Sequence, residues 1–210
     1  MSTKYDIPSF RSKCIDELKS TFPCTLEEFD AIGYDSELYH RTAPRPSRGR
    51  RILSSALLLF RECDLPAFLP SLFYLLTRGS LTETLSRLSD LPKSENFGCI
   101  LLGREKLVDA QLSDASTYLN FKASSGCSHP GGCRENWLRR KEALMNAGRH
   151  MNQCALANVA HWFNNDASFL CPSCTSSYKD AYKSARKKVW NELPGYFGLG
   201  TWEEIRESIE

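Results

Sequence analysis

Gly126-Cys127-Ser128-His129-Pro130-Gly131-Gly132-Cys133 and, further on, Cys171-Pro172-Ser173-Cys174 decide how this chain is read. The first stretch is too rich in glycine and proline for helix or strand and is expected to be a loop. The second has the two-residue gap of a zinc knuckle. Between them lies a long insert of helical character that can fold back and bring the two cysteine pairs together. Zinc takes four ligands in a tetrahedron, and thiolates at about 2.3 Å satisfy it with no position left for water. One structural Zn2+ per chain is therefore expected on Cys127, Cys133, Cys171 and Cys174, with His129, inside the wider gap, as the reserve ligand. His150 and Cys154 stand one helical turn apart and form a lesser chelating pair, which a polar helix position beside a buried thiol explains as well.

The same cysteines have other chemistries to be weighed. A Cys-x-x-Cys redox pair needs a strand before it and a helix after it, as in thioredoxin-like folds, and no strand precedes Cys171. A disulfide requires an oxidising compartment. A catalytic thiol needs a histidine and an orienting group; His161 with Asn164 or Asp166 is present, but no pattern ties them to a particular cysteine. The chain is read as no enzyme. Cys14, Cys24, Cys63 and Cys99 lie among apolar helical residues and are expected to be small core hydrophobes.

Outward from the cysteines, 210 residues at 41% hydrophobic content bury a core as one domain or as two small ones in contact. A net charge of +2, from 27 basic and 25 acidic side chains, gives no global field for nucleic acid or anionic lipid. The N-terminal residues form no charged-then-apolar leader, and the apolar run 56–60 is far short of the roughly 20 residues that span a bilayer. An odd count of 9 cysteines suits a reduced compartment with thiols and a metal, so the chain is expected to be intracellular, cytoplasmic or nuclear, without a membrane partner.

Helical spacing recurs along the chain on either side of the cysteine stretches. Residues 7–18 carry Pro8 in a first turn, and Thr25, Ser80 and Thr201 each precede a glutamate by three, forming capping boxes. Residues 52–60, apolar on most of the circumference, predict the central core helix; Pro70 belongs to the first turn of the next, 72–78, which Gly79 stops. A run from Ser94 to Leu119 follows, with Gly98 and Gly103 as expected breaks. The last long helix, 178–193, sets Tyr178, Ala181, Tyr182, Ala185 and Val189 on one face and is ended by Pro194. No stretch alternates like a strand. The expected fold is all-α, a multi-helix bundle with one loop-based zinc site: an N-terminal helical segment over 1–33, an Arg/Pro-rich loop or linker over 34–51, a central core over 52–125 and a zinc-stapled part over 126–210 packed on that core.

Residues 41–51 hold five arginines among prolines and glycine. A solvated loop is the plain reading; Arg45, Arg48, Arg50 and Arg51 as phosphate contacts of a zinc-containing nucleic-acid-binding regulator are the alternative. A second basic stretch, Lys183, Arg186, Lys187 and Lys188, is spread around its helix, and no aromatic platform for bases accompanies it. Trp137, Trp162, Trp190 and Trp202 are expected as core or rim anchors.

Several motifs together resemble the helical region that follows the BTB/POZ domain in fungal, chiefly mushroom-type, BTB proteins. They are Lys4-Tyr5-Asp6-Ile7, Phe22-Pro23-Cys24-Thr25-Leu26-Glu27-Glu28, Arg61-Glu62-Cys63-Asp64-Leu65-Pro66, Leu102-Gly103-Arg104-Glu105, Cys171-Pro172-Ser173-Cys174 and Leu193-Pro194-Gly195-Tyr196-Phe197-Gly198-Leu199. The resemblance spans nearly the whole chain and none of its motifs is catalytic. It implies the helical C-terminal portion of such a protein without the β-rich BTB domain, and a role in protein–protein interaction, BTB domains being dimerisation and partner-recruitment modules. Residues and resemblance agree on a non-enzymatic interaction or adaptor module with an unidentified protein partner.

Overall fold

A computed structural model describes residues 8–32, 46–78, 80–89, 96–113, 120–147, 155–156 and 170–209. Its elements are α1 (Pro8–Lys19), α2 (Leu26–Ile32), α3 (Pro46–Glu62), a 3-10 turn (Pro66–Phe68), α4 (Leu69–Thr77), α5 (Leu81–Leu88), α6 (Asn96–Ser113), α7 (Pro130–Ala147), α8 (Pro172–Tyr196), α9 (Trp202–Arg206) and a final 3-10 turn (Glu207–Ile209). Among the described residues there is no strand, so the fold is all-α. No helix among them is long and apolar enough to cross a membrane.

Local chemistry accounts for most helix starts. Thr25 Oγ1 accepts the Glu28 N–H at 3.1 Å while the Glu28 carboxylate takes the Thr25 N–H at 3.0 Å and the Cys24 N–H at 2.7 Å. Ser80 with Glu83 and Thr201 with Glu204 close the same reciprocal box, each satisfying two amides that the helix leaves over. Pro46, Pro130 and Pro172 each open a helix, where the missing N–H is no loss and the fixed φ is already helical.

The chain divides into two compact units, Met1–Arg104 with Glu192–Glu210, and Glu105–Asn191. The residues beyond 191 group with the N-terminal part in this division. The reason is burial: Leu193, Phe197, Trp202 and Ile205 are part of the first unit's core, while the cysteine segment builds a core of its own.

In the first unit the central helix is α4, buried at every position from Pro70 to Thr77. The apolar circumference of residues 52–60 predicts α3 for that place. Instead Ala56, Leu57 and Phe60 form the buried face of α3, whereas Leu58 and Leu59 remain 46% and 43% exposed. Rings lock the core together: Phe22 meets Phe60 edge-on at 5.0 Å, Phe29 meets Tyr74 at 5.6 Å, and Phe73 meets Phe197 at 5.4 Å. The Arg87 guanidinium donates to the Leu76 carbonyl at 3.2 Å and to that of Arg78, satisfying oxygens at the end of α4. From the C-terminal helix, Arg206 donates to the Cys24 carbonyl and stacks 4.9 Å from the Trp202 ring centre.

Four other expectations are corrected here. The Arg/Pro-rich segment does not stay irregular to residue 51, because Pro46 starts a helix that runs into the apolar stretch. α6 is continuous through Gly98 and Gly103; Gly103 is needed because a Cβ there would come within 2.9 Å of Phe197 Cγ and closer to the ring edge. Pro194 does not end α8: it stands in the last turn, where its carbonyl receives the Phe197 and Leu199 amides, and Gly198 at φ 70° turns the chain away. Cys14 and Cys63 are exposed, not core, whereas Cys24 is buried as expected. Residues 1–7, Gly79 and the 33–45 part of the arginine segment lie outside the described residues.

Candidate metal centre

All four cysteines of the two quoted stretches belong to the second unit, and two helix beginnings position them. α7 starts at Pro130, so Gly131, Gly132 and Cys133 lie in its first turn, not in a loop; the His129 carbonyl accepts the Cys133 N–H at 3.0 Å. α8 starts at Pro172, and the Cys171 carbonyl accepts the Thr175 N–H at 2.9 Å. Cys171 thus caps α8, and Cys174 follows one turn in. Cys127 sits ahead of α7 in a tight turn closed by its own N–H on the Ser124 carbonyl at 3.0 Å. The turn lies against α8: Ser124 Oγ is 2.6 Å from Ser173 Oγ, and a Cβ on Gly126 would meet Ser173 Oγ at 2.9 Å. A larger residue at 126 would have to displace the Ser173 hydroxyl from its contact with Ser124.

The four sulfurs lie within 4.8 Å of one another. A tetrahedron with metal–sulfur bonds of about 2.3 Å has edges of roughly 3.8 Å. Cys127 Sγ and Cys171 Sγ are 3.7 Å apart, which matches that edge, and all four are free thiols. The cluster is compatible with a metal ion such as zinc.

Each sulfur also faces one backbone hydrogen bond that favours its thiolate: His129 to Cys127, Cys171 to Cys133, Cys174 to Cys171, and Ser124 to Cys174. The Cys171 N–H to Cys133 Sγ distance is 3.4 Å. Cys171 is the thiol best prepared to ionise. The Cys174 amide at the start of α8 brings it down to about 7, the effect of a side chain at an N-cap. Cys127 and Cys174 are pushed up, first by burial. Cys133 is also raised: the Cys171 amide favours its thiolate, but burial and the neighbouring sulfurs outweigh that. A divalent ion supplies what four thiolates need in order to coexist, so the donor set fits zinc.

Beneath the sulfurs is an aromatic floor that follows from helical geometry. Trp137 comes four residues after Cys133, and Tyr178 four after Cys174, so each ring lies one turn along on its cysteine's face. The two rings stack at 4.2 Å with planes 16° apart, and Phe121 lies 6.0 Å from Tyr178. Trp137 and Cys174 are fully buried and Cys133 nearly so, while Cys127 and Cys171 are half-buried at the rim. The Tyr178 hydroxyl accepts the Lys122 N–H at 3.0 Å, and burial pushes its pKa up to about 12.

The structure brings Cys127, Cys133, Cys171 and Cys174 together and leaves His129 out. The residue is exposed, its Nδ1 lies 3.0 Å from Ser128 Oγ, and its carbonyl accepts the Cys133 N–H in the first turn of α7. Arg48, Arg50 and Arg51 lie on α3 in the other unit; Arg45 falls outside the described residues, as do His150, Cys154, His161, Trp162, Asn164 and Asp166. Arg186, read as one of a dispersed basic group, is buried in the second unit and donates to the Leu156 carbonyl from Nε at 3.1 Å and Nη2 at 2.9 Å. The Trp137–Tyr178 stack was also missed, although the spacing of four from each helical cysteine announces it. Compared with known proteins, the chain matches no family model, no curated protein and no solved structure.

Proposed function

We infer that this protein is a non-enzymatic protein-interaction or adaptor module, intracellular, whose second unit is held by one structural zinc ion. The observation that carries the reading is the set of four cysteine sulfurs within 4.8 Å of one another at the first turns of α7 and α8. Four thiolates saturate zinc, which suits a structural ion. The ion fastens two helix N-termini and the 120–129 segment, and its binding contributes on the order of 10 kcal/mol to folding. An interaction role is supported by a recess of about 680 Å3 beside the metal centre, with Phe121 and Trp137 in its lining and Arg134, Leu138 and Lys141 along one face of α7. Leu138 is 52% exposed there, between two cations, which suits a partner segment carrying an apolar side chain and carboxylates. The resemblance to the helical region of fungal BTB proteins points to the same class of function.

The test has two arms. Metal analysis of the anaerobically purified chain is expected to give one zinc per chain, and chelation to lower the melting temperature; a metal-free chain indifferent to chelators overturns the zinc reading. In affinity capture from source cells, a partner retained by the zinc-loaded chain and lost with Leu138→Glu supports the adaptor reading. Salt-dependent micromolar binding to DNA or RNA with no protein retained overturns it in favour of a nucleic-acid regulator.

A further inference from the structure

We propose that Cys127 and Cys171 form an oxidation site of this metal centre, at which a hydroperoxide joins them in a disulfide and the metal is expelled. The proposal rests on the zinc reading and adds how the site is regulated. The four sulfurs are not equivalent. Cys133 and Cys174 are 5% and 0% exposed, members of one buried cluster with Trp137 and Tyr178, and both are inside helical turns. Cys127 and Cys171 are half-buried and precede their helices, so solvent reaches them and helical φ and ψ do not hold their backbones. They are also 3.7 Å apart, sulfur to sulfur. Closing that gap to a bond of about 2.05 Å takes a shift of roughly 1.7 Å, within reach of side-chain rotation on the loop that carries Cys127.

The chemistry balances without a further reactant. One of the two thiolates attacks the terminal peroxide oxygen, forming a sulfenic acid as the O–O bond breaks and hydroxide, or the alkoxide of an organic hydroperoxide, leaves. The second thiolate attacks the sulfenyl sulfur and displaces its oxygen as hydroxide, forming the S–S bond. Two thiolates have lost two electrons, the peroxide has gained them, and two protons from solvent complete two waters when the oxidant is hydrogen peroxide. The metal then keeps only Cys133 and Cys174, half of the set that saturated it, and leaves. The tie between the first turns of α7 and α8 goes with it.

The usual expectation for Cys-Pro-Ser-Cys is a bond within the motif, Cys171 to Cys174, so the two pairings are separable by mapping. The full zinc-loaded chain is treated with hydrogen peroxide while a chromophoric chelator reports zinc. Free thiols are then alkylated, and disulfides are assigned by mass spectrometry of proteolytic peptides. The expected result is one zinc released per Cys127–Cys171 cross-link, with Cys133 and Cys174 recovered as alkylated thiols, and zinc re-uptake after reduction. A Cys171–Cys174 or Cys133–Cys174 bond, oxidation to sulfonic acid without a cross-link, or oxidation at exposed Cys14 or Cys63 with zinc retained overturns the proposal. The mapping uses the unmutated chain, so no variant has to fold. A chain that carries no zinc before oxidation overturns the metal reading and the release step together, whereas a zinc-loaded chain that gives another cross-link overturns the pairing alone.

Discussion

Cys174→Ser removes one of the four sulfurs from a position with no solvent exposure, and its effect can be worked from the site. Zinc contributes on the order of 10 kcal/mol over four ligands, so losing one forfeits at least about 2.5 kcal/mol. A serine hydroxyl in the buried place of a sulfur costs about 1–3 kcal/mol more. The expected destabilisation of the zinc-loaded protein is roughly 4 kcal/mol, a large part of the 5–15 kcal/mol that holds a typical domain. With excess chelator the wild type loses the metal term as well, and the difference between the two chains should shrink to the hydroxyl part. Urea unfolding of both chains, with and without chelator, closes this cycle. A difference that is the same within about 0.5 kcal/mol in both conditions refutes the reasoning, because Cys174 would then be only a buried thiol.

Further outcomes follow from single contacts. Tyr178→Phe keeps the stack on Trp137 but removes the acceptor of the Lys122 N–H, for an expected loss of about 0.5–1.5 kcal/mol in urea unfolding, where no change would show the amide to be rescued by water. Gly103→Ala should destabilise despite alanine's helix preference of about 1 kcal/mol, since Phe197 is 2% exposed and its ring occupies the space of the new methyl; a rise in melting temperature would contradict the close packing. Burial, then the Glu28 carboxylate, pushes the Cys24 thiol up to about 12. Between the ordinary cysteine pKa of about 8.5 and that value, the unfolded chain has lost a proton that the native chain keeps. Its stabilising contribution is therefore complete below about pH 8.5 and declines as pH rises, by at most about 1.4 kcal/mol per pH unit. Unfolding of wild type and Cys24→Ala at about pH 8 and about pH 10 should show the steeper decline in the wild type, and equal slopes would count against a protonated native thiol.

Much of this was written locally. A capping box needs only a hydroxyl and a carboxylate three residues apart, so Thr25, Ser80 and Thr201 announce their helices without knowledge of the rest of the chain. The four-cysteine cluster was readable for a similar reason: cysteines in pairs at short spacing have few uses other than a shared metal, and the donor geometry a metal asks for is independent of the fold around it. Cys133 and Cys174 proved to be helical, because a proline that breaks a helix from within starts one when it stands first.

What the sequence by itself determined is the all-α class, the three boxed helix starts at Thr25, Ser80 and Thr201, and the four cysteines that answer one another across the insert. The tertiary structure alone decided which apolar helix is central, since Leu58 and Leu59 on α3 are chemically equal to the leucines of α4 and differ only in what packs on them. It alone showed Arg186 buried against the Leu156 carbonyl, and Cys127 and Cys171 at the rim over two covered sulfurs. Helix periodicity and ligand chemistry are properties of a few neighbouring residues, whereas burial is a property of the partners that arrive from elsewhere in the chain.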